Sequence, residues 1–186
     1  LTIHLLLALT LFSLALWTAF GHKYGFHDTS KKAAWSLPSK LAVFSFVILA
    51  IQVSYGGFTA GLKAGHVSDT WPLMLGKLIP PNLFNSWLNI FESPQTIVFI
   101  HRWFAWLGLI LVPAVYYLVK KQNYPADIQN GLKWLIGVVA LQITLGVLTI
   151  LSYVNIVIAL IHQANAIVLV GLAVFFIHRF RAVDRK

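Results

Sequence analysis

Residues 99–119 read FIHRWFAWLGLILVPAVYYLV. A bilayer span takes about 20 apolar residues, and this run is long enough, yet it carries His101 and Arg102 near one end. Ionisable groups inside a span are costly and are usually retained for a function. Residues 160–172, LIHQANAIVLVGL, repeat the arrangement with His162. Fold and function both turn on these two passages.

Composition sets the class around them. Hydrophobic residues fill 59% of the 186 positions, charged residues only 10%, and mean hydropathy is +0.78. A soluble domain carries about 25% charged residues, so the chain reads as an all-α integral membrane protein. Helices are the default span because lipid offers backbone groups no partners. The lack of cysteine excludes disulfides, thiolate metal sites and cysteine nucleophiles. A net charge of +9 would suit a nucleic-acid binder. Here the basic residues cluster in short connections between spans, the sign of membrane orientation. The expected partner is the lipid bilayer and not nucleic acid.

Five segments qualify as spans, about 2–20, 41–61, 96–119, 132–151 and 156–178. The first connection holds Lys23, Lys31, Lys32 and Lys40; the third holds Lys120, Lys121 and Lys133; the tail holds Arg179, Arg181, Arg185 and Lys186. The second connection offsets Lys63 and Lys77 with Asp69 and Glu92, and the fourth has no charge. Positive-inside bias then puts the N-terminus outside and the C-terminus in the cytoplasm. Within the second connection, Leu83, Phe84, Trp87, Leu88 and Phe91 fall on one helical face behind an Asn82 cap. That pattern predicts a short helix in the outer interface, either lidding the layer beneath or anchoring by its aromatics. The first run lacks a basic leader and a small-residue cleavage site, so it reads as a span and not a signal peptide. The expectation is that helices preceding it are missing from this chain.

An internal repeat organises the spans. The second contains IQVSYGGFT and the fourth LQITLGVLT, sharing Gln-x3-Gly-x2-Thr at Gln52, Gly56, Thr59 and Gln142, Gly146, Thr149. Those offsets put each trio on one helical face. The third span has His101 then Ala105, and the fifth has His162 then Ala166. The last four spans are therefore two copies of one hairpin. The first span has His4 then Ala8 with no preceding partner, as the last helix of an earlier bundle would. His4, His101 and His162 all lie within two turns of the outer face, roughly 10 Å deep at about 1.5 Å per residue.

Two neutral imidazoles from different helices can fill both axial positions of a haem iron. The flat macrocycle needs room, which Ala105, Ala166, Gly56 and Gly146 would leave, although small residues also serve plain helix packing. Arg102 would lie near the outer edge, where it could pair with a propionate. A zinc site would want three or four ligands, and the layer holds no Asp, Glu or Cys. A proton relay would want a buried carboxylate. His22, His27, His66 and His178 read as solvated or interfacial.

The ordered set GGFTAGLKAGHVSDTWPLM (56–74), FIHRWFAW (99–106) and LIHQANA (160–166) resembles the haem A synthase family. The resemblance runs through all five spans. It implies eight transmembrane helices in two pseudo-symmetric four-helix bundles, of which this chain has the last five helices. The implied divisions are 1–22, the last helix of a substrate bundle; 23–40, an inner basic loop; 41–180, the haem b bundle; and 181–186, an inner basic tail. The implied activity is oxidation of the C8 methyl of haem O to the formyl group of haem A, for cytochrome oxidase. By the same resemblance His101 and His162 ligate the haem b cofactor, and His4 ligates the iron of the substrate haem. The family's amino-terminal Glu-x-x-His-Arg pattern and its outer-loop cysteines are absent, so the chain as given is expected to be incomplete for turnover. Further expected partners are a haem O synthase, an electron acceptor and a second copy of the chain in a homo-oligomer; the short loops point to a bacterial plasma membrane, with a mitochondrial inner membrane as the alternative. The competing readings are a bis-histidine b-type cytochrome that only relays electrons and a membrane scaffold whose histidines merely hydrogen-bond.

Overall fold

The structure is a computed structural model that describes residues 1–26 and 34–184. Lys31, Lys32, Arg185 and Lys186, counted above in the basic loop and tail, and His27, read above as solvated or interfacial, lie outside the described residues. Helices α1 (Thr2–Tyr24), α2 (Leu37–Gly61), α3 (Asn89–Glu92), α4 (Pro94–Phe104), α5 (Trp106–Lys121), α6 (Ala126–Leu151) and α7 (Ile156–Asp184) follow in chain order. α4 and α5 together make one span, so that five helical segments among the described residues are long and apolar enough to cross a membrane.

Local chemistry sets the helix ends. Ser36 caps α2 and Ser93 caps α4, each hydroxyl accepting from the backbone N–H three residues on, with Pro38 and Pro94 in the first turns. Asn155 opens α7 by accepting from the N–H groups of Val157 and Ile158. α5 ends at a left-handed Asn123, and the Tyr124 N–H returns to the Val119 carbonyl. Three spans run further than hydropathy alone indicates. α2 starts at Leu37, α6 at Ala126 and α7 reaches Asp184, so Lys40, Lys133 and Arg181 sit on helices. Arg181 is buried, bonded to Asp184 and stacked on the ring of Trp35. It is a helix residue and not part of a loose tail.

The last four spans form a bundle. α2 packs on α4, α5 and α7, α5 packs on α6, and α6 packs on α7. The spans bearing His101 and His162 therefore stand at opposite corners. α1 lies outside this square, against α7 and α2. Close approach there depends on glycine: a Cβ on Gly57 would sit 2.9 Å from the Thr2 hydroxyl, and one on Gly171 would sit 3.3 Å from Leu16.

The two ends of the bundle differ. Toward the Lys120–Tyr124 end, Val112, Val115, Val119, Ile128, Leu132, Leu135, Phe176 and Phe180 make a dry core. At the other end, below the long loop 62–93, α4 packs on α2 among the long helices, and polar side chains fill the layer. The expected helix over 83–91 does not form. Residues 82–88 are a chain of turns, Asn82 takes φ 63° in place of a cap, and only Asn89–Glu92 are helical. The sequence explains this: Pro80-Pro81 and the polar Asn85-Ser86 favour turns over helix. Leu83 alone turns inward, its carbonyl taking bonds from Thr96 and Asn89, while Phe84, Trp87 and Phe91 point outward.

Candidate haem-ligand site

α4 and α7 each bring one histidine to the polar layer. The rings of His101 and His162 lie 6.5 Å apart, centre to centre, with their planes at 87°. A metal–imidazole bond of about 2 Å plus the half-width of each ring gives axial partners a ring-centre separation of about 6 Å. The spacing suits two imidazoles on one metal. Among the described residues no three His, Cys, Asp or Glu side chains gather to hold an ion. Two ligands alone suit a metal whose other positions are filled by a group it brings with it.

The repeat glycines lie where their spacing predicts. A Cβ on Gly56 would stand 3.2 Å from Cε1 of His101, and one on Gly146 would stand 3.1 Å from Cε1 of His162. Each imidazole edge rests on bare backbone of the neighbouring helix. Ala105 and Ala166, one turn beyond the histidines, are half-buried. Ala105 also marks the junction of α4 and α5.

Sequence reasoning noticed the two glutamines of the repeat but gave them no role. The Gln52 amide nitrogen lies 3.1 Å from Nδ1 of His101 and donates to the His101 carbonyl at 2.9 Å. Nδ1 of His162 lies 3.1 Å from the Gln142 main-chain carbonyl, and the Gln142 amide nitrogen lies 3.3 Å from Nε2. Asn165 donates to the Gln142 side-chain oxygen at 2.7 Å and to the Val138 carbonyl at 3.2 Å. The matched Gln-to-His bonding was latent in the shared Gln-x3-Gly spacing.

Arg102 is buried and faces the long loop. Its guanidinium donates to the Ser68 carbonyl at 2.6 Å and the Thr70 carbonyl at 3.1 Å, while Nε is buried without a partner. The two terminal nitrogens, expected at an open edge, are instead engaged in holding the loop. A second tie joins that loop to the α6–α7 turn: the Tyr153 hydroxyl bonds the Asp69 carboxylate and holds its pKa below the usual carboxylate range. Trp71 stacks on Trp106 at 6.2 Å and lies 6.1 Å from Trp103, covering the same end.

The remaining histidines divide. His4 is exposed, whereas Thr2, Leu6, Leu9 and Ser13 mark the packed side of α1. On an α-helix His4 then falls on the far side, away from the His101–His162 pair. His22 and His66 are exposed, as expected. His178 is not solvated: it is 1% exposed, between Trp17, Phe20 and Tyr24. α1 and the extended α7 cover a position that hydropathy assigned to a helix end.

Comparison with known proteins shows the family. The family model described as cytochrome oxidase assembly protein, COX15-CtaA, matches residues 1–174. A protein named Heme A synthase from Wolbachia sp. subsp. Brugia malayi is 36% identical over 180 residues, covering 95% of this chain and 51% of the relative. The Heme A synthase of Wolbachia pipientis wMel is 38% identical over 180 residues, covering 95% and 49%. That of Flavobacterium psychrophilum is 34% identical over 186 residues, covering 97% and 53%. The chain thus spans about half the length of the curated relatives it matches. No solved structure matches it. With a helical bundle, a paired-histidine layer and a match over nearly its whole length, the chain belongs to the COX15-CtaA family of cytochrome oxidase assembly proteins.

Proposed function

We propose that this chain supplies the cofactor bundle of a haem A synthase, an oxidoreductase that converts the C8 methyl group of haem O into the formyl group of haem A. The relatives' names and the family match support the reaction class. The observation that carries the chain's own part is the 6.5 Å spacing of His101 and His162 from opposite corners of the bundle. His101 and His162 would hold haem b, with Gly56, Gly146, Ala105 and Ala166 leaving room beside the ligands.

Two features fit such a group. Both imidazole edges meet glycine backbone, where a Cβ would intrude at 3.2 and 3.1 Å. The donor set is two neutral nitrogens, which suits an iron already held by a macrocycle. When bound, a bis-histidine haem supplies one-electron transfer with no vacant coordination position. The residues of this chain therefore bind, orient and shield. Arg102 fastens the long loop above the layer with its two terminal nitrogens, and its buried Nε, without a partner, would be the atom left to pair with a propionate. His4, on the far side of α1, would serve as ligand to the substrate haem in a separate bundle, with haem O as substrate. The connections rich in lysine would face the cytoplasm, with the long loop outside, in a bacterial plasma membrane.

The test is a visible spectrum of the purified chain, followed by haem extraction after the chain, joined to the amino-terminal half of a relative, is co-expressed with a haem O source. A low-spin haem b spectrum with formyl haem in the extract supports the proposal. A haem b spectrum with no formyl haem favours an electron-relaying cytochrome. A colourless protein ends both readings.

A further inference from the structure

We propose that residues 78–91, the second half of the long loop, bed in the headgroup boundary of the outer leaflet beside α4. The occupant of this exposed apolar surface is then phospholipid and not a second copy of the chain.

The sequence supplies the material. Between Lys77 and Glu92 stand the fourteen residues LIPPNLFNSWLNIF, without one ionisable side chain. The first half of the loop differs, for Lys63, His66, Asp69 and Lys77 all lie there. In the charge-free half Leu78, Ile79, Phe84, Trp87, Leu88 and Phe91 are exposed, Trp87 to 73%. A patch of that size and composition marks a contact surface. Tryptophan at its most exposed point favours a boundary between membrane and water, where the ring body is covered and the N–H stays wet.

Ring contacts fix the depth of the segment. Phe84 meets Phe99 of α4 at 6.3 Å, and Phe91 meets Phe58 of α2 at 6.4 Å. α4 begins at Pro94, so Phe99 lies roughly 7 Å along it at about 1.5 Å per residue. The Phe84 ring thus hangs beside the span and does not stand above its end. Phe99 in turn meets Trp103 at 6.4 Å. Trp103, Trp106, Ile110 and Tyr117 are the exposed stripe of the same span, at helical spacing. The apolar surface of the loop therefore continues into the face that this span leaves to lipid. The layer holding His101 is covered by the other half of the loop, through Arg102 and Trp71.

The backbone limits how deep the segment goes. Turns are excluded from the hydrocarbon interior, where unbonded peptide groups find no partners. These turns meet the milder demand of the boundary by bonding much of themselves. The N–H groups of Leu88, Asn89, Ile90 and Phe91 donate to oxygens within residues 86–88. The Asn85 amide donates to the Asn82 side chain, the Pro81 carbonyl accepts from Gln95, and the Leu83 carbonyl accepts from Asn89 and Thr96. Depth and bonding together set the segment below bulk water and above the acyl core.

The chain has no cysteine, so one introduced cysteine carries one nitroxide label. The experiment labels Phe84→Cys, Trp87→Cys and Lys77→Cys separately and reconstitutes the purified chain in liposomes of phosphatidylcholine and phosphatidylglycerol. It reads EPR power saturation with oxygen, which collects in lipid, and with a water-soluble nickel chelate. The ratio of oxygen to chelate collisions is expected to be severalfold higher at 84 and 87 than at 77. Equal ratios at all three positions overturn the proposal. Shielding of 84 and 87 from both reagents, as a second copy seated on the patch would give, overturns it as well. Should a labelled variant fail to reconstitute, unlabelled protein decides in phospholipid brominated near the headgroup end of its chains. The fluorescence of Trp87, read as the difference between wild type and Trp87→Phe, is expected to be lost there. A difference signal that brominated lipid leaves unchanged overturns the proposal.

Discussion

Gly146 lies against the edge of His162 so closely that a Cβ there would stand 3.1 Å from Cε1. The same contact recurs at 3.2 Å between Gly56 and His101. Two glycines a whole hairpin apart thus do one job, which is to let a helix backbone back an imidazole.

Gly56→Ala and Gly146→Ala should therefore move the rings by a few tenths of an ångström without unfolding the bundle. Overpacking of this kind costs about 1–3 kcal/mol. The expected result is a several-fold fall in haem retained through purification, greater for leucine than for alanine at either position. Haem-to-protein ratios of the variants check it.

Arg102 is a stability residue as well as the neighbour of His101. Truncation to alanine removes two bonds to the Ser68 and Thr70 carbonyls. Bonds from a charged donor contribute about 1.5–3 kcal/mol each. Arg102→Ala should lower thermal stability by several degrees and speed hydrogen exchange over residues 62–75. Arg102→Lys should recover only part of the loss, because an ammonium lacks the planar fork that spans two carbonyls.

The Asp69–Tyr153 tie gives the loop a pH response of definite sign. The Tyr153 hydroxyl lowers the Asp69 pKa, so its contribution is present above the ordinary carboxylate value and lost as pH falls through the lowered one. Asp69 in turn raises the Tyr153 pKa, and that contribution is lost only as pH rises through the raised value. The loop should be fastened at neutral pH and loosen in acid below about pH 4. Tryptophan fluorescence from the Trp71–Trp103–Trp106 cluster should report this transition, and Tyr153→Phe should remove most of it.

Spans, hairpin repeat and histidine pair were readable from the sequence because each rests on periodicity, which one chain carries in full. Features set by contacts across the fold were not. His178 looked like a helix-end residue, since nothing in its own neighbourhood announces that α1 will cover it with Trp17 and Phe20. Arg102 reaches carbonyls more than thirty residues earlier, a pairing no local pattern encodes. The apolar positions of 83–91 have helical spacing, but the prolines and the left-handed Asn82 break the backbone before a helix can form. The glutamines were visible as a motif, yet spacing alone does not tell which end of an amide meets which nitrogen.

The account stands on His101 and His162 binding one iron from opposite sides, and low-temperature EPR of the ferric protein tests this most directly. A low-spin signal present in wild type and in His4→Ala, and abolished in both His101→Ala and His162→Ala, is the predicted result. A low-spin signal that survives unchanged in either single variant of the pair would contradict it.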